Sequence, residues 1–138
     1  MKTFVDIYGI AVEPEEIHRV AEEINGILRA RGDEPMERFN NGMRGGYFYK
    51  NDFPDDPQLD LSYNFVQLFR QREVSWEEED FKELTIILDA STEDLSLLDD
   101  LEQPLLALGF VKVRRRWFDR STDERGTLFE LTPKGAPK

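Results

Sequence analysis

The stretch TFVDIYGIAV at residues 3–12 carries apolar side chains at both odd and even positions. Successive side chains of a β-strand point to opposite faces of a sheet, so this pattern predicts a strand that is buried on both faces. One face would carry Phe4, Tyr8, Ile10 and Val12, and the other Val5, Ile7 and Ala11. We therefore predict a central strand over residues 3–12.

The next segment changes to a helical period. Residues 13–16 are three glutamates around Pro14, which suits the first turn of a helix. Apolar side chains then recur at steps of three and four, at Ile17, Val20, Ala21, Ile24, Ile27 and Leu28. Gly32 follows the basic residues Arg29 and Arg31 and is predicted to end the helix in a left-handed conformation. The single histidine, His18, is predicted to be a solvated helix residue between Glu15 and Glu22.

With the remaining elements, each half of the chain is predicted to contain a strand, a helix and two further strands. Further strands are predicted at residues 47–49, 59–69, 84–88, 110–118 and 126–131. A second helix is predicted to start at Ser91 and Thr92 and to run to Gly109, with a kink or break at Pro104. The order predicts an α+β fold: a two-layer α/β sandwich with a mostly antiparallel sheet of about six strands, both helices on one face and the other face uncovered. Because the two halves have a similar order of elements, the fold could be a tandem βαββ pseudo-repeat, and the sequence does not decide this.

Length and composition restrict the class of protein. The 138 residues fit one domain, predicted over residues 1–131 with a flexible tail at 132–138. The chain is too apolar and aromatic, at 39% and 12%, for a disordered acidic chain. It has no cysteine and one histidine, which excludes thiol nucleophiles, disulfides and Cys/His zinc sites. We therefore predict a protein that is not an enzyme and has no cofactor. Neither a membrane-spanning segment nor a signal peptide is evident, so we also predict a cytoplasmic, bacterial-like protein without a membrane partner.

Three weaker patterns in the sequence are better explained by a structural role than by a functional site. Acids at Asp55 and Asp56, or at residues 77–80, are oxygen ligands for Mg²⁺ or Ca²⁺, but their spacing matches no calcium loop. Glycines around Arg44 lack the spacing of a phosphate-binding loop and fit a turn. Residues 44–49 are comparable with the aromatic strand of RNA-recognition motifs, but Gly46 stands where an aromatic residue belongs.

The charge distribution argues against nucleic acid as a partner. The formal net charge is −11, with 29 acids against 18 Lys and Arg, and it repels a polyanion. Only the basic strip, Lys112, Arg114, Arg115, Arg116 and Arg120, offsets this charge locally. We expect these side chains to pair with acids of neighbouring strands.

The sequence instead favours a basic protein partner. Large apolar side chains lie among clustered carboxylates in two segments that we interpret as loops. The predicted partner-binding surface, called here the acidic-aromatic surface, consists of Asp52, Phe53, Asp55, Asp56, Trp76, Glu77, Glu78, Glu79 and Asp80. Acids steer association with a basic protein, and aromatic anchors supply affinity. In charge and fold class the chain resembles bacterial immunity and antitoxin-type inhibitors, which implies a basic toxin or nuclease as the partner.

A second hypothesis is a small-molecule-binding effector domain. Tandem strand-helix-strand-strand units are similar in arrangement to effector-binding domains of the gyrase-inhibitor type, which hold a cationic, aromatic ligand between their two halves. In that case Tyr47, Tyr49, Tyr63 and Trp117 would line the cleft, with a carboxylate beneath the cation. Aromatic residues exposed beside acids favour the protein partner, and aromatic residues converging in a pocket favour the ligand.

Overall fold

The computed structural model describes residues 2–39, 47–51, 65–70, 83–119 and 121–130. The order of elements is β1 (Lys2–Ile10), a short 3-10 helix (Pro14–Glu16), α1 (Ile17–Ala30), β2 (Glu37–Phe39), β3 (Tyr47–Asn51), β4 (Phe65–Arg70), β5 (Ile86–Thr92), α2 (Leu95–Ala107), β6 (Val111–Asp119) and β7 (Glu124–Glu130). The predicted tail at residues 132–138 lies outside this part of the chain.

The strands form one antiparallel sheet in the order β2-β3-β4-β5-β1-β6-β7. The α+β class predicted from the sequence is confirmed, and β1 lies between β5 and β6 as a central strand. The predicted count of about six strands is wrong, because the sheet as described has seven strands and includes β2, which had no sequence prediction. Burial of the side chains is known for nearly all residues of five of these strands, namely β4, β5, β1, β6 and β7.

Helix α1 follows the predicted apolar spacing closely. Its buried residues include Ile17, Val20, Ile24 and Leu28, which pack in the main core with one face of the sheet. Gly32 has φ +84°, the left-handed conformation that favours glycine after a helix. The buried side chain of Asn25 then binds the chain that leaves the helix: its Oδ1 accepts from the Met36 N–H at 2.7 Å, and its Nδ2 donates to the Met36 carbonyl at 3.2 Å.

Helix α2 begins later than the sequence predicts. Residues Ser91 and Thr92, predicted to open the helix, are the last two of β5, and the helix begins at Leu95. Asp94 is the N-cap, because its side chain accepts a hydrogen bond from the Ser96 N–H at 3.0 Å. The helix is continuous across Pro104 as far as Ala107. The buried residues Leu101 and Leu105 hold this part of α2 in the core on both sides of the proline.

Apolar clusters lie on both faces of the sheet. The main cluster joins α1 and α2 to residues such as Tyr8, Leu68 and Leu88 of the central strands. A second cluster, the far-face cluster, contains Ile7, Phe69, Leu84, Ile87 and Val113, none more than 6% exposed. The expectation of an uncovered second face is therefore wrong at the centre of the sheet. Strand β1 carries apolar side chains on both of its faces, so both faces of the sheet are covered where β1 lies.

The sheet order does not establish a tandem repeat. Strand β4 lies beside β5, and β6 lies beside β1, so each half of the chain flanks the first strand of the other half. However, β6 directly follows α2, whereas β4 is the third strand after α1. The two halves of the described chain thus reach equivalent places in the sheet through different connections.

Candidate functional site

The acidic-aromatic surface lies outside the residues that the structure describes. This applies to each predicted member, namely Asp52, Phe53, Asp55, Asp56, Trp76, Glu77, Glu78, Glu79 and Asp80. The strands that bound these two segments are β3, β4 and β5. These strands are adjacent in the sheet, so both segments start and end in the same half of the molecule.

The residues of the alternative ligand cleft are placed on different parts of the sheet. Tyr47 and Tyr49 belong to β3, Trp117 belongs to β6, and Tyr63 lies outside the described residues. Three strands separate β3 from β6, which corresponds to about 19 Å at about 4.8 Å per strand. Trp117 contacts Lys2, whose Nζ lies 4.3 Å from the centroid of the indole ring. The structure does not bring Trp117 together with the two tyrosines of β3.

Two cations of the basic strip, Lys112 and Arg115 on β6, pair with acids inside the fold, while Arg120 lies outside the described residues. Asp6 of β1 is fully buried and is the register partner of Arg115. The Arg115 Nε donates to Asp6 Oδ1 at 2.6 Å and its Nη2 donates to Oδ2 at 2.8 Å, a two-point pair. The Tyr8 hydroxyl adds a third hydrogen bond to Asp6 Oδ2 at 3.1 Å. Burial raises the pKa of Tyr8, and the neighbouring Asp6 carboxylate adds to that effect.

Helix α2 supplies a second acid to the same network. Glu102 accepts a hydrogen bond from the Lys112 ammonium and lies 4.0 Å from Arg115 Nη2. The hydrogen bond from Lys112 lowers the pKa of Glu102. The hydrogen bonds from Arg115 to Asp6 raise the pKa of Arg115. Two of the cations expected to pair with acids therefore do so, one across the sheet and one between sheet and helix.

A second ion-pair cluster joins the end of α1 to the start of α2. Arg31 donates to Asp33 Oδ2 at 2.5 Å, binds Asp100 through Nη1 and lies 3.3 Å from Asp94 Oδ2. Burial opposes the charge of Arg31, but the hydrogen bonds and charges of Asp33 and Asp100 outweigh it and raise its pKa. Asp94 also caps α2, and the hydrogen bond from Ser96 lowers its pKa. This cluster links the end of α1 to the start of α2 through ion pairs at the surface.

Acids dominate the exposed surface of the described chain. The exposed acids are Glu13, Glu15, Glu22, Glu23, Glu34, Glu37, Glu83, Asp94, Asp99, Asp100, Asp123 and Glu124. The exposed Lys and Arg residues are Lys2, Arg19, Arg29, Arg116 and Arg125. The acid excess follows from the composition of the chain, because the fold buries or partly buries acids such as Asp6 and Glu102 as well as the cations Lys112, Arg114 and Arg115. His18 is exposed on α1.

One functional candidate was missed by sequence reasoning. Asp89 lies on β5 beside Ile7, on the face of the sheet that carries the far-face cluster. Its Oδ1 atom is buried and has no hydrogen-bond partner within the described part of the chain. Burial raises the pKa of Asp89 to about 7, although Arg116 and Arg114 act in the opposite direction. The predicted strand ended at Leu88 and therefore gave no reason to place this acid inside a sheet.

Two kinds of feature were not found among the described residues: a metal-ligating cluster and a membrane-spanning helix. Among them no group of three or more His, Cys, Asp or Glu side chains is arranged to hold a metal ion. None of the helices in this part of the chain is both long and apolar enough to cross a membrane. A scan against protein-family models gave no match, and a search of curated proteins found no significant relative.

Proposed function

We propose that this chain is a non-enzymatic, acidic protein-binding domain of the cytoplasm that neutralises a basic partner enzyme, in the manner of immunity and antitoxin-type inhibitors. The partner is a protein with a positively charged surface, such as a toxin or nuclease that binds a polyanion. The acidic-aromatic surface would present carboxylates where such an enzyme binds phosphates, and Phe53 and Trp76 would act as anchors.

The observation that best supports the proposal is the excess of acids on the exposed surface of the described residues, together with the internal pairing of two cations of the basic strip. Arg115 is held by Asp6 and Lys112 by Glu102, so these cations are not available to neutralise the outer surface. Exposed acids therefore outnumber exposed Lys and Arg residues in the part of the chain that the structure describes. Surface acids in excess raise the rate of encounter with a basic protein, and salt screens that effect.

Affinity capture from a lysate of the native source tests this function. The intact chain is used as bait, and the retained proteins are identified after washes at low and then high salt. We expect one basic protein, retained in stoichiometric amount and released or weakened by salt. Retention of no protein, or of acidic proteins only, would contradict the proposal.

Two charge-reversal baits locate the surface. The first carries Glu77→Lys, Glu78→Lys and Asp80→Lys, and the second carries Glu22→Lys, Glu23→Lys and Asp99→Lys at exposed positions of the helices. Both change the net charge equally. Loss of capture with the first bait alone supports the acidic-aromatic surface. Loss with the second alone would leave the function standing and would overturn this location for it.

A further inference from the structure

Two aspartates on neighbouring central strands have opposite environments. Asp6 on β1 is fully buried and receives three hydrogen bonds, two from Arg115 and one from Tyr8. Asp89 on β5 has a buried Oδ1 that receives none within the described residues. A buried carboxylate oxygen without a donor is costly, and the cost is much greater for the charged form than for the protonated form. The fold thus gives three hydrogen bonds to the Asp6 carboxylate and leaves one buried oxygen of Asp89 without a donor among the described residues.

The surroundings of Asp89 contain few groups that favour its charge. Its register partners are Gln67 on β4 and Ile7 on β1, neither of which carries a charge. Beyond β1, on β6, lie Arg114 and Arg116, the two cations that act on Asp89. These are the charged groups that face it from the described strands, while α1 and α2 pack on the opposite face.

Distance limits the help from these arginines. Arg114 is the register partner of Ile7, so its strand is two strands from Asp89, or about 10 Å between the backbones. The Oδ1 atom of Asp89 accepts no hydrogen bond from either arginine within the described residues. The apolar side chains of Ile7, Ile87 and Phe69 lie on the same face. Desolvation therefore outweighs the attraction of the two cations.

We propose that Asp89 is a proton-operated switch on the face of the sheet that carries the far-face cluster. With a proton bound, the neutral carboxyl group is tolerated beside the cluster and β5 stays paired with its neighbouring strands. Without the proton, an uncompensated charge lies beside Ile87 and Ile7, and these strands separate more often. The switch does not depend on the identity of any partner.

The direction of the pH effect follows from the pKa of Asp89, which is about 7 in the fold against 3.8 as the ordinary value. Because the folded state binds this proton more tightly than the unfolded state does, Asp89 contributes most to stability at acidic pH. That contribution is lost as the pH rises toward about 7. For one proton, the equilibrium constant for unfolding rises up to about tenfold per pH unit within this window.

The test compares wild type with Asp89→Asn and with Asp99→Asn, an equal charge change at an exposed position of α2. Urea unfolding is measured at intervals from about pH 5 to about pH 8. The two variants are expected to differ in how steeply the unfolding constant changes with pH. The unfolding constant of wild type and Asp99→Asn should rise with pH more steeply than that of Asp89→Asn. Equal slopes for Asp89→Asn and wild type would overturn the proposal.

A second measurement needs only the wild-type protein. The side-chain carboxyl ¹³C resonance of Asp89 is followed by NMR over the same pH range, together with hydrogen exchange of the β5 amides. We expect a titration midpoint near 7 and faster exchange around Ile87 above it. A midpoint near the ordinary value of 3.8, or exchange that does not follow the titration, would refute the switch.

Discussion

Replacing Arg115 with methionine should destabilise the fold strongly, because it keeps an unbranched apolar stem but removes the guanidinium group. Arg115 supplies two of the three hydrogen bonds to Asp6, at 2.6 and 2.8 Å, and Asp6 has 0% exposed surface. The variant would leave a buried carboxylate with Tyr8 as its remaining donor among the described contacts. Removing one partner of a buried pair costs about 3 to 5 kcal/mol. For a domain of this size that corresponds to a fall in Tm of roughly 10 °C or more.

Chemical unfolding in urea, followed by circular dichroism, measures the loss at constant pH. The matched variant Asp6→Leu with Arg115→Met removes both charges together and should recover most of the lost stability, because no isolated charge remains. Asp6→Asn alone should be intermediate, since Arg115 stays partly exposed and can be hydrated. A cost below about 1 kcal/mol for Arg115→Met would refute the reasoning, because that is the range of a surface ion pair.

Two further predictions concern single contacts. Asn25→Leu should lower the free energy of unfolding by about 2 to 4 kcal/mol in urea titration, because the buried N–H and carbonyl of Met36 lose their side-chain partner. A smaller loss than about 1 kcal/mol would mean that water replaces the amide. Gly126→Ala should displace Trp117, since an added Cβ would lie 2.5 Å from the indole Nε1. With Trp76→Phe as the background, tryptophan fluorescence should shift to the red, and an unchanged spectrum would contradict the contact.

The spacing of apolar residues in the sequence predicted the central strand and the first helix correctly. Apolar residues on both faces of residues 3–12 indicated a central strand, and β1 is flanked by β5 and β6. The spacing from Ile17 to Leu28 indicated α1, and Gly32 indicated its end. These features depend on neighbours within a few positions, so the sequence alone contains the information.

Long-range contacts account for most of what the sequence did not predict. Ser91 and Thr92 resemble a helix start, but pairing of β5 with β1 and β4 extends the strand through them. Strand β2 is three residues long and has too short a pattern to detect. The partial burial of Asp89 depends on which strands flank β5, and strand order is not readable from one chain. The pairing of Arg115 with an acid was predictable in kind, although its partner Asp6 lies 109 positions away.

The rate of association between this chain and the basic protein that it retains tests the central claim most directly. The association rate constant is measured at low and high salt for wild type and for the variant with Glu77→Lys, Glu78→Lys and Asp80→Lys. The account predicts fast, salt-sensitive association for wild type and a reduction of about tenfold or more at low salt for the variant. A rate constant that is insensitive to both salt and charge reversal would contradict an acidic surface built for a basic partner.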